Sequence, residues 1–153
     1  MARNQLVTYS GSDVSLSFTH PLIGVIQASG VAGKGINSIS IRMAVDQTSV
    51  QVGMDGAVIP SVLPGDQGEI ELSVWQTSTL HKELLAWYNA VKAARNVGDV
   101  SPWFAGMLLI ASTVDGSIHT CSGVAPSKVP DKQYQVQAQP VTWLLHACNI
   151  SSE

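Results

Sequence analysis

Apolar and polar side chains alternate along most of this chain, and one stretch departs to a period near 3.6. Val14, Leu16 and Phe18 alternate with Asp13, Ser15, Ser17 and Thr19, the period of a half-buried strand, which the His20-Pro21 step stops. From Leu22 the run GVIQASGVAGKGI loses alternation and is rich in glycine, predicting a short apolar strand and then a loop through Gly35. Ile39, Ile41, Met43 and Val45 next alternate with Ser38, Ser40, Arg42, Ala44 and Asp46. Val50 and Val52 extend this pattern toward the Asp55-Gly56 turn signal, predicting the longest strand of the chain.

Beyond a tip containing Pro60 and Pro64, Ile70, Leu72 and Val74 alternate with Glu69, Glu71 and Ser73, so the two strands can pair as an extended hairpin. The aliphatic set turns inward. The outward set, Ser38, Ser40, Arg42 and Asp46 on one arm and Glu69, Glu71 and Ser73 on the other, must face water or a water-filled space. The period then changes. Leu80, Leu84, Trp87, Tyr88 and Val91 fall at helical spacing behind a Ser78 or Thr79 cap, with Lys92 and Arg95 in the last turns and Gly98 as the stop.

The remainder reads as strand again. Segments 107–113 and 117–124 flank an Asp115-Gly116 turn, a proline-bounded loop runs through Pro130, and 134–138 and 141–147 follow, with Pro140 breaking the last pair. Six to eight strands and one flanking helix make a mainly β domain, a β-sandwich or partly open barrel spanning 1–153, with a hairpin tip at about 53–68.

Composition narrows the function classes. Of 153 residues, 45% are apolar and 12% charged, which is too apolar for disorder and leaves a surface of small and neutral polar groups suited to subunit contacts. The net charge is −3, and the eight Lys and Arg are scattered, so no basic groove for nucleic acid is expected. The N-terminal segment lacks the apolar core of a secretory signal, and the apolar run 103–111 is far short of the roughly 20 residues that cross a bilayer. A cytoplasmic start and no membrane partner are therefore expected. Cys121 and Cys148 are read as small core or interface residues, not as a disulfide.

Candidate chemistry is thin. GVAGKGI resembles a phosphate loop, but Ala28 and Gly35 stand where that loop needs Gly and Ser or Thr. His119-Thr-Cys121 and His146-Ala-Cys148 repeat His-x-Cys, so adjacent strands could bring together four zinc-type ligands; the spacing is short for zinc, and ordinary strand residues with no metal are the reading preferred. There is no Gly-x-Ser-x-Gly elbow and no His-Glu-x-x-His helix, and Glu69 and Glu71 share a wet face with nothing to raise a carboxyl pKa. No enzyme and no cofactor is expected. Trp75, Trp87, Trp103 and Trp143 have too few cations nearby for base stacking and are assigned to packing.

In order along the chain, TYSGSDVSLSF, Gly53-Met-Asp-Gly56, GEIELSVWQTS followed by the helix, Gly98-Asp-Val-Ser-Pro-Trp103, and Lys128-Val-Pro-Asp131 leading to the Trp143 strand together resemble the tail tube proteins of contractile-tailed bacteriophages. The hairpin tip departs from that family in its prolines and scarcity of cations. The resemblance implies a structural subunit of the virion tail, assembled in the host cytoplasm. Six copies would form a ring, and rings would stack into a tube carrying genome DNA and the tape measure protein, with sheath, baseplate and tail terminator as partners. It further implies a lumen lined by Ser40, Arg42, Asp46, Glu69, Glu71 and Ser73, and inter-ring contacts by Met54, Asp55, Gly56, Pro60, Pro64 and Asp66. The loop 30–35 and the N-terminal residues would order on assembly. Two other classes share the pattern: the inner tube of a contractile injection or type VI secretion machine that passes protein, and a small-ligand-binding β-barrel with a closed apolar cavity.

Overall fold

The computed structural model describes residues 14–29, 35–112 and 116–153. The loop expected at 30–34, the N-terminal segment through Asp13 and the Asp115 half of the predicted turn lie outside the described residues.

Among the described residues, nine strands, one α-helix and one short 3-10 helix follow in the order β1 (Val14–His20), β2 (Gly24–Ser29), β3 (Ile36–Met43), β4 (Thr48–Val52), β5 (Val58–Val62), β6 (Gly68–Trp75), α1 (Thr79–Asn96), the 3-10 turn Ser101–Phe104, β7 (Gly106–Ser112), β8 (Ile118–Pro126) and β9 (Pro140–Ser152). Seven strands form one antiparallel sheet in the order β2-β1-β7-β8-β9-β6-β3, and β4 and β5 form a separate two-stranded ribbon. The large sheet curls into a half-barrel, so of the two expected architectures the partly open barrel holds and the sandwich does not.

Alternation decides what the sheet buries. Leu16, Phe18, Ile70, Leu72, Val74, Leu108, Trp143 and Leu145 turn to one face, where Leu80, Leu84, Trp87 and Val91 of α1 meet them in one buried cluster. Each fully buried aliphatic or aromatic side chain contributes on the order of 1.5–3 kcal/mol, so the helix is fixed by its apolar stripe. Trp87 stands edge-on to Phe18 with ring centroids 4.7 Å apart. The indole Nε1 of Trp143 donates to Nδ1 of buried His81 at 3.1 Å, tying sheet to helix. Burial, and then Lys132, lowers the His81 pKa, consistent with a neutral ring accepting that bond. Ser78 caps the helix, its hydroxyl accepting from the His81 N–H at 3.2 Å, and Gly98 follows the last turn with φ +92°.

Four expectations are corrected. The strand predicted from Ser38 to Val52 is interrupted at 44–47, where the chain leaves the large sheet and enters the ribbon, and the longest strand is β9 with 13 residues. The presumed tip at 53–68 is mostly not a tip, because Val58–Val62 pairs with Thr48–Val52 and the reversal itself is confined to 53–57. Residues 127–139 contain no strand; Tyr134 and Val136 alternate with polar residues but both are exposed. β9 is flanked by β8 and β6, so both its edges are occupied and 134–138 has no place beside it. Finally, Pro140 begins β9 and does not break it; the first position of a strand tolerates a residue without an N–H.

Candidate functional site

The sheet has a helix side and an open face, and its charges sit together on the open face. Register places Arg42 of β3 opposite Glu69 of β6, Glu69 opposite His146 of β9, and Ser40 opposite Glu71. Arg42 Nε donates to Glu69 Oε2 at 3.2 Å, while Nη2 donates to Glu71 Oε1 at 2.5 Å and lies 3.1 Å from Glu69 Oε2. His146 Nδ1 is 3.7 Å from Glu69 Oε1. The hydrogen bond to Glu71, then that to Glu69, raises the Arg42 pKa further above its already high ordinary value. These groups are partly exposed, so water screens them and they matter less for stability than for the charge the face presents.

Four of the six residues expected to line a lumen, Ser40, Arg42, Glu69 and Glu71, are thus brought together. The other two are not with them. Ser73 is buried, its hydroxyl accepting from Asn37 Nδ2 at 3.2 Å, which corrects its assignment to a wet face. Asp46 lies in the irregular joint between β3 and β4, exposed but off the strand.

The ribbon is the second surface. Cross-strand partners share a face, so Val50 with Pro60, Val52 with Val58, and Thr48 with Val62 make an apolar side, while Ser49 with Ser61 and Gln51 with Ile59 make a more polar one. Val50, Val52, Val58 and Val62 are all more than half exposed, an apolar strip that the subunit itself does not cover. Pro60 fits here because β5 is an edge strand. At the tip, Gly53 N–H bonds the Ala57 carbonyl at 2.7 Å, Asp55 Oδ1 accepts from the Ala57 N–H at 3.0 Å, and Gly56 takes φ +84°, a left-handed conformation suited to glycine. Met54 projects fully into solvent.

Of the six residues expected at an inter-ring contact, Met54, Asp55 and Gly56 therefore occupy the tip and Pro60 the ribbon body. Asp66 belongs to the base. Its Oδ1 accepts from Gln47 Nε2 at 2.8 Å, and its carbonyl accepts from the Ile150 N–H at 2.8 Å, so it fastens the ribbon to the sheet. Pro64 lies beside it, after β5 ends. The signal that could have found the ribbon was the valine run on both sides of Asp55-Gly56.

The two His-x-Cys pairs do not converge. Cys121 is buried on the helix side, whereas His146 and Cys148 are exposed. Facing Cys148 is Gly123, with φ +64°, whose added Cβ would come 2.9 Å from the Cys148 sulfur; the irregularity there changes which side chains of β8 and β9 point outward. His119 Nδ1 instead lies 2.8 Å from the Ser152 hydroxyl. Among the described residues no three His, Cys, Asp or Glu side chains are grouped to hold a metal. The cysteines differ chemically as well, because burial pushes the Cys121 thiol up to about 11. At about pH 8 only about one Cys121 in a thousand is then thiolate, so iodoacetamide should add one carbamidomethyl group per folded subunit, at Cys148, and two after unfolding. Peptide mass spectrometry reads this directly; fast labelling of Cys121 in the folded chain would contradict its burial.

On the helix side the buried side chains of the sheet and of α1 pack into one cluster. A groove of about 340 Å³ open to solvent lies elsewhere, where Lys128, Asp131 and Gln133 approach Thr142 and Leu144 of β9.

Comparison with curated protein sequences gives no match. Among solved structures, the fold is similar to a chain in the structure of the PVC extracellular contractile injection system sheath/tube terminator in its extended state, with a TM-score of 0.64 at 15% identity over 97% of this chain and 98% of that one. It is also similar to a chain of the PVC sheath-tube complex, TM-score 0.60 at 16% identity over 95% and 91%, and to a chain of the tube-terminating cap of the anti-feeding prophage, TM-score 0.57 at 14% identity over 99% and 95%. At such identities the likeness is one of fold. The family model of the bacteriophage PhiTE tail tube protein matches residues 6–153, and the chain belongs to that family of structural tail tube proteins.

Proposed function

We propose that this chain is the repeating subunit of a phage tail tube, that hexameric rings of it stack into a hollow tube, and that the tube conducts genome DNA during ejection. The observation that carries this reading is the family match over 6–153. Ring closure needs two different complementary surfaces on each subunit, and the edges of β2 and β3, which pair with no further strand among the described residues, are such a pair. Stacking needs a surface that each subunit alone leaves uncovered, which the apolar side of the ribbon supplies, with Met54, Asp55 and Gly56 reaching the next ring. The single domain spans 1–153. Sheath, baseplate and terminator are the fitting partners outside and at the ends of the tube, since the similar folds come from a sheath-tube complex, a terminator, a cap and a baseplate. Tape measure protein and DNA are its contents, and the tube is built in the host cytoplasm.

In this arrangement the open face with Ser40, Arg42, Glu69 and Glu71 lines the bore. A weakly acidic lining keeps phosphates from adhering, over a range of about 8 Å at physiological salt. Glu69→Lys with Glu71→Lys turns two negative charges into two positive ones. Tubes should still form, but ejection should slow or stall, and raised salt should relieve the block, because each phosphate contact adds about 0.9 to the salt exponent. Ejection at the normal rate would remove these residues from the bore. The likeness to injection-system folds supports a second reading, a tube that passes protein, and the cargo recovered from intact particles separates the two.

A further inference from the structure

We propose that Glu69 and Glu71 act as built-in anions that occupy Arg42, so that, among the described residues, the strands of the open face offer a passing polyanion no unpaired lysine or arginine. This rests on the reading that the face lines the tube, and it assigns the two carboxylates a purpose beyond bulk repulsion. Among the described residues Arg42 is the only Lys or Arg on any strand; Lys82, Lys92 and Arg95 are on α1, and Lys128 and Lys132 are in the loop before β9. Glu69 and Glu71 are likewise the only strand carboxylates. All the formal charge of the strands, histidines aside, is gathered into one cluster.

The geometry is that of anion capture. A guanidinium binds phosphate through paired N–H groups, and on Arg42 the Nε and Nη2 groups already donate to Glu69 and Glu71. Register holds the cluster together: Glu69 is directly opposite Arg42, and Glu71 is two residues along on the same face. One cation against two carboxylates leaves a net charge of −1, enough to disfavour phosphate and too little to gather counter-cations strongly. Position also matters. A weak phosphate site on a repeating subunit would recur along the whole tube, and many weak contacts on one strand bind far more tightly than one. A sliding polymer therefore requires each arginine to be occupied.

The test uses assembled tubes at a fixed pH of about 8. Glu69→Gln with Glu71→Gln keeps side-chain shape and removes the charge; Asp99→Asn with Asp131→Asn is a control of equal charge change elsewhere. A short fluorescent oligothymidylate should bind the E69Q/E71Q tube at least about tenfold more tightly than wild type or the control at low salt, with the gain lost at high salt and on adding R42Q. Unchanged binding by E69Q/E71Q, or a gain that survives R42Q, overturns the proposal. If the variant does not polymerise, heparin-column elution of dispersed subunits makes the same comparison, with elution later than both the control and R42Q/E69Q/E71Q expected. Repeating the tube experiment with the oligonucleotide fixed to beads too wide to enter a bore separates the two readings. Equal capture on beads places the face outside the tube while leaving the occupied arginine intact.

Discussion

Aspartate at both Val52 and Val58 is expected to yield a folded subunit that no longer forms tubes. The two valines are cross-strand partners on the apolar side of the ribbon, 70% and 61% exposed, so their replacement removes no contact inside the subunit core. In a stacked tube the same positions would be covered. Burying each valine is worth about 1.5–3 kcal/mol, and burying an unpaired carboxylate in its place costs several more. A loss of about 4 kcal/mol per contact already raises the concentration needed for assembly on the order of a thousandfold. Sedimentation should show subunits or small oligomers at every attainable concentration, with a denaturation midpoint close to wild type. Ser49→Asp with Ser61→Asp, on the more polar side, should be far milder. Tubes of normal length from V52D/V58D would remove the ribbon from the contact.

Trp87→Ala should bring the fold close to unfolding. Trp87 is fully buried where α1 crosses the half-barrel, edge-on to Phe18 at 4.7 Å and to His20 at 6.3 Å. Truncating a large buried aromatic costs about 3–5 kcal/mol, out of a total stability of about 5–15 kcal/mol for ordinary domains. Urea unfolding should show a midpoint lowered by a large fraction of its wild-type value. Trp87→Phe should cost much less, since it keeps an aromatic ring beside Phe18 and removes an indole N–H with no hydrogen-bond partner among the described residues. Equal losses for the two variants would mean that ring packing at this position does not hold the helix.

The sequence was most legible where one face of an element is buried. Alternation through Val14–Phe18, Ile39–Met43 and Ile70–Val74 marks the sheet, and the spacing of Leu80, Leu84, Trp87 and Val91 marks the helix, because burial is what imposes those periods. The ribbon was missed for the converse reason. Its valines are buried by nothing in the subunit, and Pro60 reads as a loop residue until β5 is known to be an edge. Tyr134 and Val136 gave a false strand, since alternation alone does not reveal that both edges of β9 are taken. The charged cluster was half legible: hairpin pairing placed Arg42 on a face with Glu69 and Glu71, but only register shows that both carboxylates reach the guanidinium. Asp46 and Ser73 were misplaced by extending an ideal strand through the joint at 44–47 and by overlooking that Asn37 covers the Ser73 hydroxyl.

Assembly is read by negative-stain electron microscopy of the purified chain across a concentration series. Rings and then hollow rods of uniform width with a stain-filled channel are expected, lengthening as concentration rises. Isolated single subunits throughout the series, with no ring or rod at any concentration, would contradict it.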